Sequence, residues 1–247
     1  MKVQDAVKQA QKRAGLSAKQ PDLPAQSLLE LWNQSVTDSN QSPAFTCLGQ
    51  TLSYGEVDQL ARRVASYFQK QLKLVPGDRI AVQLPNLIQY PVVVIAAWKL
   101  GLVVVNTNPM YTVRELVHQF NDANVKAVVV LDTFYETLTQ ALPSTNIEHV
   151  VVTRPIDLLP QPRQALLTAA MKLMGKRPSL PKGDWIAFPK LLTGSSNYSV
   201  HRAKLDDITA LQYTGGTTGA SKGVMLTQKT IMSNVAQSLD VISNLDN

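Results

Sequence analysis

The residues with the clearest chemistry lie in one stretch, LQYTGGTTGASKGVMLTQ, at residues 211–228. Its glycines at 215, 216 and 219 can adopt backbone conformations that other residues avoid, so successive N–H groups can converge on an anion. Threonine and serine hydroxyls add hydrogen-bond donors, and a lysine adds positive charge. We therefore predict a phosphate-binding loop formed by Thr214, Gly215, Gly216, Thr217, Thr218, Gly219, Ser221 and Lys222.

This loop differs from two familiar phosphate-binding motifs. A Walker A loop requires G-x-x-x-x-G-K-[ST], but Lys222 follows Ser221 and precedes Gly223. The dinucleotide motif G-x-G-x-x-G is also absent. The alternative interpretation is a plain hairpin turn, but a two-residue turn needs one or two glycines and no cluster of threonines with a lysine. We prefer anion binding.

Apolar runs on both sides of the loop must position it. ITALQY, residues 208–213, and VML, residues 224–226, are predicted strands. Thr227 is placed to cap a following helix that carries Ile231 and Val235. The loop is therefore predicted to join two strands.

Upstream of the loop, strands and helices alternate over residues 79–153. The predicted strands are RIAVQL, LVVVN, KAVVVL and HVVVT, and the helices between them have about three turns. Strands that consist almost entirely of Val and Ile are typical of a parallel sheet covered on both faces. The predicted fold class is α/β, with a mainly parallel sheet flanked by helices.

Three capping boxes support the helix assignments. In this motif a Ser or Thr side chain and a Glu three residues later each satisfy the other's free backbone N–H group. The sequence has this spacing at Ser53 and Glu56, at Thr112 and Glu115, and at Thr133 and Glu136. We expect a helix to start at each pair.

The composition restricts the class of protein. The 247 residues carry a net charge of +6, but the basic residues are scattered, without the arginine-rich block typical of nucleic-acid binders, so no nucleic-acid partner is expected. The single cysteine, Cys47, favours a reducing compartment. His118, His149 and His201 lack the spacing of metal ligands. We expect a cytoplasmic protein.

Two basic segments bear on membrane contact. The first twenty residues lack the continuous apolar region of a secretory signal, and we interpret residues 1–26 as an extension that precedes the domain of residues 27–247. Residues 163–177 are predicted to form a helix with an apolar stripe and nearby basic residues, which could rest on an anionic bilayer at the inner membrane face. We prefer the alternative, an ordinary helix packed on the domain.

These motifs resemble those of a known enzyme family. YTGGTTGASKGVMLT is similar to the phosphate-binding signature of the AMP-forming acyl-CoA synthetases. Two upstream segments, residues 43–65 and 76–130, resemble the corresponding parts of bacterial long-chain fatty acid–CoA ligases. The resemblance implies that the chain is part of the large N-terminal domain of an adenylate-forming enzyme.

The resemblance implies a two-step ligation. A fatty acid attacks the α-phosphate of ATP and releases pyrophosphate, and coenzyme A then displaces AMP to form the thioester. Thr214 would help position Mg²⁺, and Thr217, Thr218, Gly219 and Lys222 would hold the β- and γ-phosphates. Where the family commonly has a histidine near the acyl side of the pocket, this chain has Gln228, which puts an imidazole role there in doubt.

Several alternatives remain open. The family's magnesium-binding glutamate, ribose-binding aspartate and adenylation lysine lie in segments that these residues do not include, so we expect this polypeptide alone to be inactive. The acid could instead be medium-chain, aryl or amino, or the chain could be a non-catalytic nucleotide-binding module. Apolar surface left uncovered would favour self-association, and a homodimer is the corresponding hypothesis.

Overall fold

The computed structural model describes residues 22–175, 183–214 and 221–245. The helices in these ranges are α1 (Leu28–Asp38), α2 (Tyr54–Lys70), α3 (Gln89–Leu100), α4 (Val113–Asp122), α5 (Tyr135–Ala141), α6 (Arg163–Leu173), α7 (Phe188–Leu191) and α8 (Gln228–Leu245). The strands are β1 (Pro43–Cys47), β2 (Gln50–Ser53), β3 (Arg79–Gln83), β4 (Val103–Asn106), β5 (Val125–Leu131), β6 (His149–Thr153), β7 (Ile186–Ala187), β8 (Ile208–Thr214) and β9 (Lys222–Thr227). Two short 3-10 helices, Asp132–Phe134 and Leu142–Ser144, flank α5.

One mixed sheet organises the fold. Its strand order is β7-β6-β5-β3-β4-β8-β9, and β1 pairs with β2 in a separate hairpin. Neighbouring strands of the large sheet are parallel, except that β8 and β9 are antiparallel. The predicted α/β class, with a mainly parallel sheet, is confirmed, and so is the prediction that the glycine-threonine segment joins two strands.

Helices cover both faces of this sheet, as the near-continuous apolar strands predict. Ile80 and Val82 of β3 belong to one buried cluster, together with residues of α2 and α3. Ala81, between them, belongs to a second cluster with residues of α4 and α5. The alternation follows from the two-residue period of a strand, so β3 is buried from both sides.

Two of the three predicted capping boxes are present. At Ser53 and Glu56 the two hydrogen bonds measure 3.2 and 2.8 Å, and at Thr112 and Glu115 they measure 3.4 and 2.8 Å. The third prediction is wrong. Thr133 lies inside a 3-10 helix, whereas an N-cap residue needs an extended backbone, and α5 begins two residues later, at Tyr135.

A buried ion cluster joins α1, α2 and α3. Lys99 is only 2 % exposed, and its ammonium donates to Asp58 Oδ1 at 2.7 Å. The same oxygen accepts from Trp32 Nε1 at 3.0 Å, and Arg62 Nε donates to Asp58 Oδ2 at 2.6 Å. Burial alone would raise the pKa of Asp58, but the hydrogen bonds from Lys99 and Arg62 hold that pKa below its ordinary value. Burial lowers the pKa of Lys99.

Helix α6 does not match its preferred interpretation as a helix packed on the domain. None of its residues is buried, and the side chains of Leu166 and Leu173 are 71 % and 88 % exposed. In the described part of the chain, no helix is both long and apolar enough to span a bilayer. The predicted extension lies largely outside the described residues, although Ala25 packs with Leu28 of α1 and Met232 of α8. The boundary at residue 26 stays a prediction.

Candidate functional site

The carboxyl ends of β3, β4 and β8 meet at one edge of the sheet. The helices that follow β3 and β4 pack on opposite faces, and in such sheets ligands bind in the crevice where the connections diverge. A cleft of about 590 Å³ lies there. Its lining residues, all at or just beyond the ends of these strands or on the adjoining helix, include Asn86, Tyr90, Asn106, Thr107, Tyr111 and Gln212.

The predicted phosphate loop starts and ends at this edge. Thr214, the last residue of β8, pairs in register with Lys222, the first residue of β9. Both side chains are exposed, and Ser221 is half-buried. The other predicted loop residues, Gly215, Gly216, Thr217, Thr218 and Gly219, lie outside the described residues. The structure therefore gives the position of the two ends of the loop.

Helix α4 holds both strands at the base of the loop. The Nε2 atom of His118 lies 2.8 Å from the main-chain oxygen of Ser221, and because a carbonyl can only accept, Nε2 carries the hydrogen. One turn further along α4, Asp122 accepts a hydrogen bond from the hydroxyl of Tyr213. Burial raises the pKa of Tyr213, and the hydrogen bond to Asp122 raises it further. One rigid helix thus fixes the loop on its two sides.

Gly223 allows the hairpin to close over this contact. It pairs with Tyr213 across the two strands, and a Cβ atom at Gly223 would lie 3.0 Å from two carbon atoms of the tyrosine ring. That distance is shorter than an ordinary van der Waals contact. The absence of a side chain at residue 223 therefore gives the ring the space to lie close to the opposite strand.

Asn106 connects four elements at the edge of the cleft. Its Oδ1 accepts from the hydroxyl of Tyr90 at 2.8 Å, and its Nδ2 donates to Gln212 Oε1 at 3.0 Å. Its main-chain oxygen accepts from Gln119 Nε2, also at 3.0 Å. The end of β4 is therefore fixed to α3, β8 and α4, which gives the cleft a preorganised polar wall.

Gln228 lies at the opposite edge of the sheet. It follows Thr227, which pairs with Ile208 at the amino end of β8. Its side chain is buried, and its Oε1 accepts from the backbone N–H of Leu28 at 2.9 Å, which satisfies a free donor at the start of α1. In this chain residue 228 therefore fixes α1 to the sheet. Whether this position lies near the acyl side of a pocket, as the resemblance implies, stays a prediction.

The structure also shows contacts that the sequence interpretation missed. His118 was considered only as a metal ligand, and Tyr213 only as part of a strand. The available signal for Tyr213 was its hydroxyl in a strand that was predicted to be buried, since a buried hydroxyl needs a hydrogen-bond partner. Among the described residues no group of three or more His, Cys, Asp or Glu could hold a metal ion.

The sequence of this chain is similar to those of known proteins. The model of the AMP-binding enzyme family matches residues 32–246. A long-chain fatty acid–CoA ligase of Escherichia coli O157:H7 is 37 % identical over 215 residues, which cover 86 % of this chain and 38 % of the relative. The ligase of the same description from Salmonella typhimurium is 35 % identical over 236 residues, 92 % of this chain and 42 % of the relative. The chain therefore spans about two fifths of the length of these curated relatives.

A solved structure shows the same fold. The crystal structure of a long-chain fatty acid–CoA ligase from Archaeoglobus fulgidus superimposes with a TM-score of 0.68 at 24 % sequence identity. The similarity covers 90 % of this chain and 41 % of that one. At this identity the likeness concerns the fold alone.

Proposed function

Because the chain belongs to the family of AMP-binding enzymes, we propose that its β8–β9 hairpin holds the triphosphate of ATP in a long-chain fatty acid–CoA ligase. The reaction joins a fatty acid to coenzyme A through an acyl-adenylate, with release of pyrophosphate and AMP. The observation that supports this most is the Thr214–Lys222 pair at the carboxyl edge of the sheet, with its base fixed by α4.

The chemistry required of this hairpin is the stabilisation of negative charge. When a carboxylate attacks the α-phosphate, charge develops on the phosphate oxygens and on the departing pyrophosphate. Preorganised donors stabilise such charge more than mobile water does, because they need not reorient during the reaction. Lys222 would supply a cation, and the loop N–H groups and hydroxyls would supply neutral donors. The exposed position of Lys222 is compatible with this role.

The residues of this chain could supply only part of the coordination of a magnesium ion. Mg²⁺ commonly keeps several waters and takes one or two protein oxygens together with substrate phosphates. The hydroxyl of Thr214, exposed beside Lys222, could be one of these oxygens. When bound, the ion would neutralise charge on the phosphates. The remaining protein ligands implied by the family lie outside the residues of this chain.

The identity of the acid substrate is the more specific part of the proposal. Its support is the description of the relatives, which are named as long-chain fatty acid–CoA ligases at 35–37 % identity. The Tyr90–Asn106–Gln212 network would form the polar wall against which the reacting groups lie. Aryl and short-chain acids are the competing substrates.

The test is ATP-dependent pyrophosphate release by the gene product that carries these residues, with palmitate, octanoate and benzoate as acids. We expect palmitate to be preferred. Lys222→Ala should lower kcat/KM about 100-fold, the typical cost of losing one group that stabilises a transition-state anion. Lys229→Ala is the matched control, because Lys229 is also exposed but lies beyond the amino edge of the sheet. An equal loss of kcat/KM in both variants would contradict the role of Lys222. A preference for benzoate would contradict the proposal that the substrate is a fatty acid.

A further inference from the structure

Helix α6 exposes an apolar stripe. Leu166, Ala169 and Leu173 follow the i, i+3, i+7 spacing of one helix face, and all three are exposed. The leucines are 71 % and 88 % exposed, and Met174, just after the helix, is 59 % exposed. Side chains of this kind are normally turned toward a protein interior.

The apolar surface of α6 extends beyond this stripe. Leu167, Ala170 and Met171, which adjoin it on the helix, are half-buried. Together these positions form one wide apolar face, with Gln164, Thr168 and Lys172 on the remaining side, and such a face is normally covered by a protein core or a membrane. Helix α4 shows the contrast, because its exposed positions carry polar or charged residues such as Arg114, Glu115 and Asp122. The outer face of α6 therefore has the composition of a covered surface.

The charge of the segment around α6 indicates what covers its apolar stripe. Residues 158–183 contain five basic residues and no acidic one, so this segment alone accounts for +5 of the net charge of +6. Lys172 lies at the border of the apolar stripe and is exposed. Leucines flanked by lysine and arginine match an anionic lipid surface, in which acyl chains take up the leucines and headgroups attract the cations. A second copy of the same segment would instead bring together two segments of like net charge.

The helix is also fixed to the domain, so its binding would hold the whole domain at the surface. Arg163 donates to the main-chain oxygens of Leu48 and Gly49, at 2.9 and 3.1 Å, in the β1–β2 turn. Leu48 itself is half-exposed beside the first turn of α6. The turn therefore presents one more exposed apolar side chain near the first turn of α6.

From these observations we propose that α6 is a lipid-docking helix, which lies on an anionic bilayer with Leu166, Leu173 and Met174 inserted among the acyl chains and Lys172 at the headgroups. The absence of a spanning helix in the described ranges is compatible with contact from one side only. This inference does not depend on nucleotide binding, so it can fail or hold independently of the proposed ligase activity.

The experiment is flotation of the 247-residue chain with phosphatidylcholine vesicles, with and without about 30 % phosphatidylglycerol. The wild type should bind the anionic vesicles and should dissociate in about 0.5 M NaCl, where screening shortens the reach of each charge to a few ångströms. The variant Leu166→Glu/Leu173→Glu should bind at least about tenfold more weakly, because both changes place a charge in the acyl region. Lys172→Gln should weaken binding about fivefold, the usual contribution of one basic residue near an anionic surface.

The matched control is Leu239→Glu/Ile242→Glu in α8. These side chains are 52 % and 56 % exposed, and the substitutions add the same two charges, but the sequence between them carries an acidic residue, Asp240. The control should bind like the wild type. Circular dichroism should show unchanged folding in both double variants, since all four positions are exposed.

Three results would overturn the assignment. The first is a wild type that binds neither kind of vesicle, and the second is equal binding by the wild type and Leu166→Glu/Leu173→Glu. The third is a wild-type dimer in vesicle-free solution that this variant dissociates, because the stripe would then be covered by a second copy of the chain. Sedimentation velocity without vesicles measures that outcome.

Discussion

Two lysines in different regions of the molecule carry the same charge in opposite settings. Lys99 lies between α1, α2 and α3, where it is 2 % exposed and bonded to Asp58 at 2.7 Å. Lys222 lies at the edge of the sheet with an exposed side chain, and among the described residues it forms no ion pair. The first cation is paired inside the fold, and the second is exposed to solvent.

The difference follows from solvation. A buried ammonium has lost its water and must keep an anionic partner, so its removal leaves a carboxylate without compensation. An exposed ammonium remains hydrated, and its contribution to folding is small. The same side chain is therefore expected to be a stability determinant in one region and a binding determinant in the other. The following experiments test that division.

The largest effect is expected for Lys99→Met. The change leaves Asp58 buried with Arg62, whose side chain is half-exposed, as its remaining cationic partner. Loss of one partner of a buried pair typically costs about 3–5 kcal/mol, and urea unfolding would measure it. Arg62→Gln is the control and should cost at most about 1 kcal/mol. The double variant Asp58→Asn/Lys99→Met should be more stable than Lys99→Met alone, and the reverse order would contradict the explanation.

A smaller loss is expected for Gly223→Ala, at the base of the hairpin. The added methyl group would lie 3.0 Å from the Tyr213 ring, and overpacking of this kind costs about 1–3 kcal/mol. Gly194→Ala is the matched control, since a Cβ atom there meets nothing within 4 Å. Thermal unfolding should separate the two variants. If they melt together, the close approach of Tyr213 to the opposite strand is not a constraint.

Tyr213→Phe should cost about 1–2 kcal/mol at neutral pH, because it removes a hydrogen bond to a charged acceptor, Asp122. The cost should depend on pH. The pKa of Tyr213 is raised above its ordinary value of 10.0 in the folded protein, so above pH 10 the unfolded chain loses a proton that the native state retains. The stabilisation is therefore present below pH 10 and decreases as the pH rises.

Denaturant unfolding of the wild type and of Tyr213→Phe between pH 8 and 11 would check this trend. The difference in stability between the two proteins should shrink in the alkaline range. In an Asp122→Asn background the effect of Tyr213→Phe should be smaller at every pH, because the acceptor no longer carries charge. A difference that stays constant with pH would show that the hydroxyl contributes only packing.

The smallest effect on folding is expected for Lys222→Ala. Its loss should change the free energy of unfolding by less than about 0.5 kcal/mol, since an exposed side chain without an internal partner contributes little. Together with a large loss of pyrophosphate release, this result would sharpen the contrast with Lys99. A large loss of stability would instead show that Lys222 has a structural partner in the folded protein.

The sequence predicted what local patterns determine. The strands of residues 79–153 were predicted to within one or two residues because their apolar runs are continuous, and two capping boxes followed from spacing alone. The third failed because Asp132 begins a 3-10 helix directly after β5, which places Thr133 inside a turn. Whether the first turn starts at Asp132 or is capped by Thr133 depends on packing. The spacing of Thr133 and Glu136 does not encode it.

Contacts between distant residues could not be predicted in the same way. Tyr213 and Asp122 are 91 residues apart, and His118 and Ser221 are 103 apart. They meet because β8 inserts beside β4, and a single sequence does not specify the strand order. Lys99 gave a partial signal, since a lysine within a buried apolar helix needs an anionic partner. The pattern could not show that this partner is Asp58 on α2.

The hydrogen bond from Leu28 to Gln228 spans 200 positions. During synthesis from the amino end, α1 therefore leaves the ribosome long before the side chain that caps it exists. The strand beside β4 is likewise made only after β5, β6 and β7. Contacts between distant segments slow folding. We therefore expect that, in the nascent chain, α1 lacks its hydrogen bond to Gln228 and β4 lacks its neighbour β8 until those residues have been synthesised. Chaperones that shield apolar surface during translation would act in that interval.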